Sequence, residues 1–187
     1  MWSEFRERRL EGYRVARERG EVDEDIIPLL DLINSFEEFV TLSSCSGRIA
    51  VMDMPEFGRK REAKFLGKWH SCVEYEDVLN ALEGGVGEVW LIMFPPIIHV
   101  ACRDLRSAEK LMRCANDAGM RRCGIISLKR YVIEMTTLER MEVPVKFHGK
   151  RLVDDGSLRI MVDIANRKLV RSKEKLKRLY ERLLREL

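Results

Sequence analysis

A short polar stretch at residues 41–48, Thr-Leu-Ser-Ser-Cys-Ser-Gly-Arg, contains the side chains best suited to chemistry. It lies between two apolar runs that have the pattern of strands. Hydroxyl groups donate and accept hydrogen bonds, glycine lets a ligand approach the backbone, and the guanidinium of Arg48 offers a fixed fork of donors. The stretch can therefore form a binding site, although the same composition is also typical of a simple Ser/Gly turn.

Three kinds of nucleophilic site can be compared with this stretch. A phosphatase-type loop needs more residues between Cys and Arg than separate Cys45 from Arg48. The Gly-x-Ser-x-Gly elbow of a serine hydrolase is absent. A pair of Cys45 with His99 is sterically possible, but only Arg48 is close enough in sequence to favour the thiolate. What remains is a polar pocket with hydroxyls, Arg48, His99 and an acid such as Asp23, in which an acid or imidazole could take a proton from a substrate nitrogen.

Composition excludes several classes of protein. No apolar run approaches the roughly 20 residues of a membrane span, and the charged residues 1–6 do not resemble a secretory signal. We therefore expect a cytoplasmic protein without a membrane partner. The five cysteines form no Cys-x-x-Cys and the three histidines no His-x-x-x-His, so neither a disulfide framework nor a metal site is expected.

The elements that must position these residues follow from hydrophobic periodicity. Helices are predicted at residues 3–19, 24–35, 76–82, 104–118 and from about 157 onward. Strands are predicted at residues 38–42, 48–53, 68–73, 89–94, 97–103, 124–129, 131–137 and 142–147. The glycines of Gly85-Val86-Gly87 follow a helix and precede a strand, which is the wrong order for a Rossmann fingerprint. We expect an α/β fold with a mixed sheet and flanking helices, in a single domain over residues 1–187 that ends in a long basic helix.

Two candidate residues have more than one interpretation. Asp23 precedes a predicted helix, so its carboxylate could cap that helix or serve as an acid of the site. Alternation along the strand at residues 97–103 places His99 and Arg103 on one face and apolar residues on the other. This pattern favours a lined cleft, although His99 could also be a hydrogen-bonded core residue.

Basic residues concentrate in two places that could contact phosphates. The polar loop at residues 55–64 contains Arg59, Lys60 and Arg61, and the last helix is rich in Lys and Arg after residue 167. A solvated helix face would have the same composition.

The polar stretch resembles the signature of the TYW3/Taw3 family of tRNA wybutosine-synthesising methyltransferases. The signature Ser/Thr-x-Ser-Ser-Cys-x-Gly-Arg is matched at every defined position, by Thr41, Ser43, Ser44, Cys45, Gly47 and Arg48. Similar segments precede the signature at residues 22–26 and 32–34 and follow it at residues 95–103, 118–125 and 142–144.

The resemblance implies an S-adenosylmethionine-dependent enzyme with its own α/β fold, distinct from Rossmann-type methyltransferases. Its substrate would be the wyosine-type tricyclic base at position 37 of tRNA(Phe), presented by the anticodon stem-loop and methylated at N4. The catalytic residues carried over from the family are Asp23, Ser43, Ser44 and His99, with Asp25 as the competing aspartate.

Further roles are predicted for residues of the matched segments and of the basic stretches. The predicted cofactor- or substrate-binding residues are Thr41, Cys45, Gly47, Arg48, Trp69 and Arg103. The predicted tRNA-binding residues are Arg59, Lys60, Arg61, Lys150, Arg151, Lys175 and Arg178. The alternatives are a non-catalytic tRNA-binding module and a small-molecule hydrolase that uses Cys45.

Overall fold

A computed structural model describes residues 1–55 and 62–186. Its helices are α1 (Trp2–Glu18), α2 (Ile27–Ser35), α3 (Tyr75–Glu83), α4 (Leu105–Asp117) and α5 (Asp155–Glu186), with a 3₁₀ turn at Glu24–Ile26. Its strands are β1 (Phe39–Cys45), β2 (Arg48–Met54), β3 (Lys64–Trp69), β4 (Glu88–Phe94), β5 (Ile97–Cys102), β6 (Arg122–Ser127), β7 (Val132–Thr136), β8 (Met141–Phe147) and β9 (Lys150–Arg151).

The chain forms two compact units. The first comprises Met1–Ser46, Pro96–Leu138 and Ser172–Leu187, and the second comprises Gly47–Pro95 and Glu139–Arg171. Each unit is assembled from segments that are distant in sequence. The single-domain organisation stays a prediction.

The first unit contains a four-stranded sheet in the order β1-β5-β7-β6, in which every described pair is antiparallel. Ile98 and Val100 of β5 are fully buried and pack with Ile133 of β7 and Leu111 of α4. The alternation predicted for residues 97–103 is therefore confirmed, because its apolar face forms the core of this unit. On the opposite face of the sheet lies His99.

The second unit contains a five-stranded sheet in the order β3-β2-β4-β8-β9, again with antiparallel pairs. Val51, Leu91 and Val145 face its core, which is covered by Val78 of α3 and by Leu158 near the start of α5. Burial alternates over residues 97–100 of β5, whereas residues 49–51 of β2 and 91–93 of β4 are buried at consecutive positions.

The α/β class and its flanking helices are confirmed. The structure differs from a single mixed sheet, because it has two sheets and their described strand pairs are all antiparallel. The strand predicted at residues 68–73 was misplaced: β3 pairs with β2 from Lys64 to Trp69, and the chain leaves the ladder at His70. No helix within residues 1–55 and 62–186 is long and apolar enough to cross a bilayer.

Candidate functional site

A row of three polar side chains crosses the sheet of the first unit. Ser43 of β1 lies directly opposite His99 of β5, which lies directly opposite Glu134 of β7. The Ser43 Oγ to His99 Nδ1 distance is 2.7 Å, and the His99 Nε2 to Glu134 Oε2 distance is 2.8 Å. The pairing of three strands therefore joins a hydroxyl, an imidazole and a carboxylate through two hydrogen bonds.

The chemistry of these groups fixes the direction of the two hydrogen bonds. An ionised carboxylate only accepts hydrogen bonds, so His99 Nε2 carries a proton and donates a hydrogen bond to Glu134. In the neutral ring Nδ1 then accepts the hydroxyl proton of Ser43. His99 and Glu134 are partly buried, with 24% and 35% of their side chains exposed, whereas Ser43 is exposed. Ser43 is thus the member of the row that a ligand can reach, and its oxygen lone pairs can accept a proton.

Cys45 is not the partner of His99. Both ring nitrogens of His99 already bond to Ser43 and Glu134, and Cys45 is half-buried at the end of β1. The Cys-His pair considered from the sequence is therefore not formed.

Asp23 holds the backbone of the signature. Its Oδ2 accepts a hydrogen bond of 2.7 Å from the backbone N–H of Ser46. Although Asp23 occupies the N-cap position of the 3₁₀ turn, its side chain makes no capping hydrogen bond there. The capping interpretation is therefore wrong, because the carboxylate points to the signature instead. Asp25 forms an ion pair with Lys173, whose Nζ also lies 3.4 Å from Ser46 Oγ.

Thr41 begins the signature, but its hydroxyl is buried. Asn34 of α2 donates to Thr41 Oγ1 over 2.9 Å, and the Thr41 backbone N–H donates to Asn34 Oδ1 over 2.9 Å. The side chain is only 6% exposed. Its visible role is to fix β1 against α2, and the β1–β5 register shifts just after it, between Thr41 and Ser43.

A groove of about 720 Å³ in the first unit is bordered by α1, by the turn after it and by β1. It is lined by Arg8, Arg9, Gly12, Tyr13, Ala16, Glu21, Val22, Leu30, Thr41, Leu42, Ser43 and Ser44. The lining combines guanidinium groups, a carboxylate, hydroxyls and apolar side chains. Its volume is within the range of small-molecule sites, about 300–1,000 Å³.

The last two signature residues belong to the second unit. Gly47 has a φ of +87°, a left-handed conformation that favours glycine. The Cζ of Arg48 lies 5.2 Å from the ring centroid of Phe65 and 5.4 Å from that of Phe94. Trp69, a predicted binding residue, packs at the edge of the core of this unit.

Arg103 lies apart from the row of Ser43, His99 and Glu134. It directly follows Cys102, which pairs with Phe39 at the end of β5. Ser43 pairs with His99, four residues before Arg103. Four residues of strand correspond to roughly 13 Å. Arg103 Nε lies 3.3 Å from Asp104 Oδ2 at the start of α4, and its role in binding stays a prediction.

The predicted tRNA-binding residues differ in exposure. Lys150, Arg151 and Arg178 are exposed, and Arg151 pairs with Asp155 over 2.7 Å. Lys175 is only 8% exposed, because its side chain packs over Gly119, and its prediction as a surface phosphate contact is therefore wrong. The predicted contacts Arg59, Lys60 and Arg61 lie outside the described residues.

Sequence reasoning missed Glu134. The available signal was a carboxylate between the apolar residues Ile133 and Met135 in a predicted strand, which places it on the polar face. Alternation does not show which residue of a neighbouring strand lies opposite Glu134. The pairing of β5 with β7 was needed to join it to His99.

Comparisons with solved structures show which proteins share this α/β fold. The chain is similar to the PH1069 protein of Pyrococcus horikoshii, with a TM-score of 0.93 and 41% identity over 97% of this chain and 95% of that chain. It is also similar to a hypothetical protein of Aeropyrum pernix, with a TM-score of 0.77 and 28% identity over 88% of this chain and all of that one.

Residues 4–185 match the family described as Methyltransferase TYW3. A relative from Archaeoglobus fulgidus is 54% identical over 98% of this chain and 93% of its own length. A relative from Methanocaldococcus jannaschii is 36% identical over 96% of this chain and 95% of its own length. Both are named tRNA(Phe) 7-((3-amino-3-carboxypropyl)-4-demethylwyosine(37)-N(4))-methyltransferase. The chain belongs to the TYW3 methyltransferase family, and the resemblance drawn from the signature is confirmed.

Proposed function

We propose that this enzyme methylates N4 of 7-(3-amino-3-carboxypropyl)-4-demethylwyosine at position 37 of tRNA(Phe). The observation that carries the proposal is the hydrogen-bonded row of Ser43, His99 and Glu134, which offers a proton acceptor to a substrate nitrogen. The names of the relatives supply the substrate. The family is enzymatic, so the non-catalytic alternative is not favoured.

We propose S-adenosylmethionine as the methyl donor and the groove beside β1 as its site. Arg8 and Arg9 can pair with the carboxylate of an amino acid, and Glu21 can accept from ribose hydroxyls. Val22 and Leu30 give the groove an apolar part for a purine ring. When bound, the donor supplies a methyl group on a sulfonium for displacement by the substrate nitrogen. Ser43 and Ser44 also line the groove, so the donor and the proton acceptor share one surface.

The polar row would remove the proton of N4. Ser43 Oγ accepts that proton while its own hydroxyl proton moves along the 2.7 Å hydrogen bond to His99 Nδ1. The imidazolium that results is stabilised by the carboxylate of Glu134 on its other nitrogen. In this scheme Glu134 acts through His99 and is a positioning residue.

Asp23 would keep the signature backbone in place. Its hydrogen bond to the Ser46 N–H fixes the residues that follow Ser43 and Ser44. The acceptor base must leave its stack to reach Ser43, since the reacting atom of a stacked base is shielded. Most of the acceleration in a displacement of this kind comes from alignment of the reacting atoms.

The test is methyl transfer from S-adenosylmethionine to tRNA(Phe) that carries the demethylated nucleoside. Nucleoside mass spectrometry should detect the gain of one methylene at that nucleoside. The Ser43→Ala variant should lose activity by about 100-fold or more. Ser35→Ala is the matched control, because Ser35 is an exposed serine whose Oγ bonds only to the Leu32 carbonyl among the described contacts. If the wild-type enzyme leaves correctly modified tRNA unchanged, the proposed function is refuted.

Two further measurements separate the alternatives. Calorimetry should detect S-adenosylmethionine binding, which a module that binds only tRNA would lack. Alkylation of Cys45 should abolish no hydrolytic activity. The reason is that both ring nitrogens of His99 bond to Ser43 and Glu134, so His99 does not activate the thiol.

A further inference from the structure

A stack of aromatic rings and cations lies in the second unit. Arg48 is placed between the rings of Phe65 and Phe94, with centroid distances of 5.2 Å and 5.4 Å. The Cζ of Arg140 lies 5.7 Å from the Phe94 centroid, and Lys68 Nζ lies 6.0 Å from the Phe65 centroid. Each distance is within the range of a cation–π contact. We call these five residues the aromatic–cation stack.

The stack is accessible at one of its aromatic members. Phe65 is 47% exposed, so a large part of its ring is accessible to a ligand. Lys68 and Arg140 are also exposed, whereas Phe94 is half-buried. Arg48 supports Phe65, so the ring is held in position although solvent reaches it.

Arg48 also has unused hydrogen-bonding capacity. Its Nε is buried and has no hydrogen-bond partner among the described residues. A buried donor without a partner costs free energy. The guanidinium of Arg48 also places a positive charge beside the exposed ring of Phe65, where it can attract an anionic group.

We propose that the aromatic–cation stack binds a single-stranded part of the tRNA substrate. One unpaired base stacks on Phe65, and the adjoining phosphates contact Lys68, Arg140 and Arg48. Aromatic rings flanked by cations are the usual means of binding single-stranded nucleic acid, because every base has a π face and every linkage has a negative charge. The proposal rests on the proposed function, since it assigns a second contact to the same substrate.

Charge favours RNA over an acidic or apolar protein partner. The stack contains three cations, and the carboxylate paired with it among the described residues is Glu142, which contacts Arg140. A purely apolar partner would leave these cations desolvated, whereas an acidic peptide would not use the exposed ring. A base and its phosphate use both.

The test measures binding of a synthetic anticodon stem-loop RNA to the full chain, without cofactor, over a range of salt concentrations. Phe65→Ala should weaken binding by about tenfold and leave the salt slope unchanged, because stacking releases no counterions. Lys68→Ala should lower the slope of log K against log salt by about one. Phe65→Trp should restore or strengthen binding.

The matched control is Phe147→Ala. Phe147 belongs to the same unit and is 48% exposed, but no cation–ring contact involves it within the described part of the chain. Its substitution should leave RNA binding unchanged. S-adenosylmethionine binding by Phe65→Ala, measured calorimetrically, should equal that of the wild type and thereby show that the variant is folded.

Single abasic substitutions in the RNA loop identify the stacked base. At one position, the abasic substitution should weaken binding to the wild-type protein. The same substitution should not weaken binding to Phe65→Ala any further, since both changes remove the same contact. Additive losses at every position, or an unchanged dissociation constant for Phe65→Ala, overturn the stack as an RNA site. If the wild type methylates tRNA, that result leaves the proposed function standing. Equal weakening of an acidic peptide and of the RNA would assign the surface to protein partners instead.

Discussion

Glu134 orients the imidazole ring of His99. Its carboxylate holds the proton on Nε2, so Nδ1 has its lone pair directed at the Ser43 hydroxyl. A histidine without this partner could rotate or carry its proton on the wrong nitrogen. The proposed proton acceptor therefore depends on a residue that lies outside the signature at residues 41–48.

We expect Glu134→Gln to lower kcat by about tenfold or more while KM and the midpoint of thermal unfolding stay near the wild-type values. The amide keeps the shape of the carboxylate but cannot balance an imidazolium. Steady-state kinetics on modified tRNA(Phe), with unfolding followed by circular dichroism, measure both effects. Glu109→Gln, at an exposed position of α4, is the control. Unchanged kcat in Glu134→Gln would show that His99 needs no carboxylate.

Burial makes three of the cysteines chemically inert. It raises the pKa of the Cys102 thiol to about 12 and those of Cys114 and Cys123 to about 11, with a hydrogen bond to Glu186 adding to the effect at Cys114. The reactive thiolate is then almost absent at neutral pH. Cys72, in contrast, is exposed.

We therefore expect iodoacetamide at neutral pH to modify Cys72 first and to leave Cys102, Cys114 and Cys123 unmodified until denaturant is added. Peptide mass spectrometry over a time course gives the rate at each site. The early modification should be absent in a Cys72→Ser variant. Comparable labelling of Cys102 in the native protein would contradict its burial.

At the scale of single elements, α4 begins at a side-chain cap. Asp104 Oδ1 accepts hydrogen bonds from the backbone N–H and from the hydroxyl of Ser107, over 2.8 Å and 2.7 Å. These bonds favour the ionised carboxylate, and the Ser107 backbone N–H is the main reason that the pKa of Asp104 is lowered. This contribution is present above the usual pKa of an aspartate and is lost as pH falls through the lowered value.

Asp104→Ala should lower the free energy of unfolding by about 1 kcal/mol at neutral pH, and Asp104→Ser should restore most of the loss, because serine also caps helices. Urea titration measures both. The difference between wild type and Asp104→Ala should shrink in acid. A difference that persists below the lowered pKa would mean that the charge is not what stabilises the cap.

Elements were more predictable than their pairing. The apolar stripe of α4 and the alternation of β5 were visible because burial of one face requires them. β3 was misplaced because its residues alternate weakly and its pairing with β2 is interrupted between Val51 and Met52. The capping of a helix by Asp23 failed because a carboxylate can bond to any nearby N–H, and Ser46 is distant in sequence.

At the scale of the whole molecule, sequence and structure agree least where strands from distant segments meet. The signature located Ser43, but Glu134 became a partner only through the strand order β1-β5-β7. The division into two units was also hidden, since it follows contacts rather than composition. Basic composition likewise did not distinguish exposed Arg178 from buried Lys175.

We expect tRNA binding to weaken steeply with salt, and Arg178→Ala and Lys150→Ala each to lower the slope of log K against log salt by about one. Filter binding at several salt concentrations measures the slope. Arg14→Ala is the control, because Arg14 is an exposed arginine that pairs with Glu11 on its own helix and is not a predicted contact. A flat salt dependence in the wild type would contradict the predicted phosphate contacts.

The pairing of Ser43 with His99 across β1 and β5 has a consequence for the loss of activity on heating. In β5, residues that fill the core alternate with the residue that serves the site, so a shift by one position would expose Ile98 and Val100 and turn His99 inward. A shift in the register of β5 would therefore disrupt the core and the Ser43–His99 pair together. Thermal inactivation should therefore coincide with cooperative unfolding of the first unit, and residual activity after a heat pulse should count the molecules that are still folded.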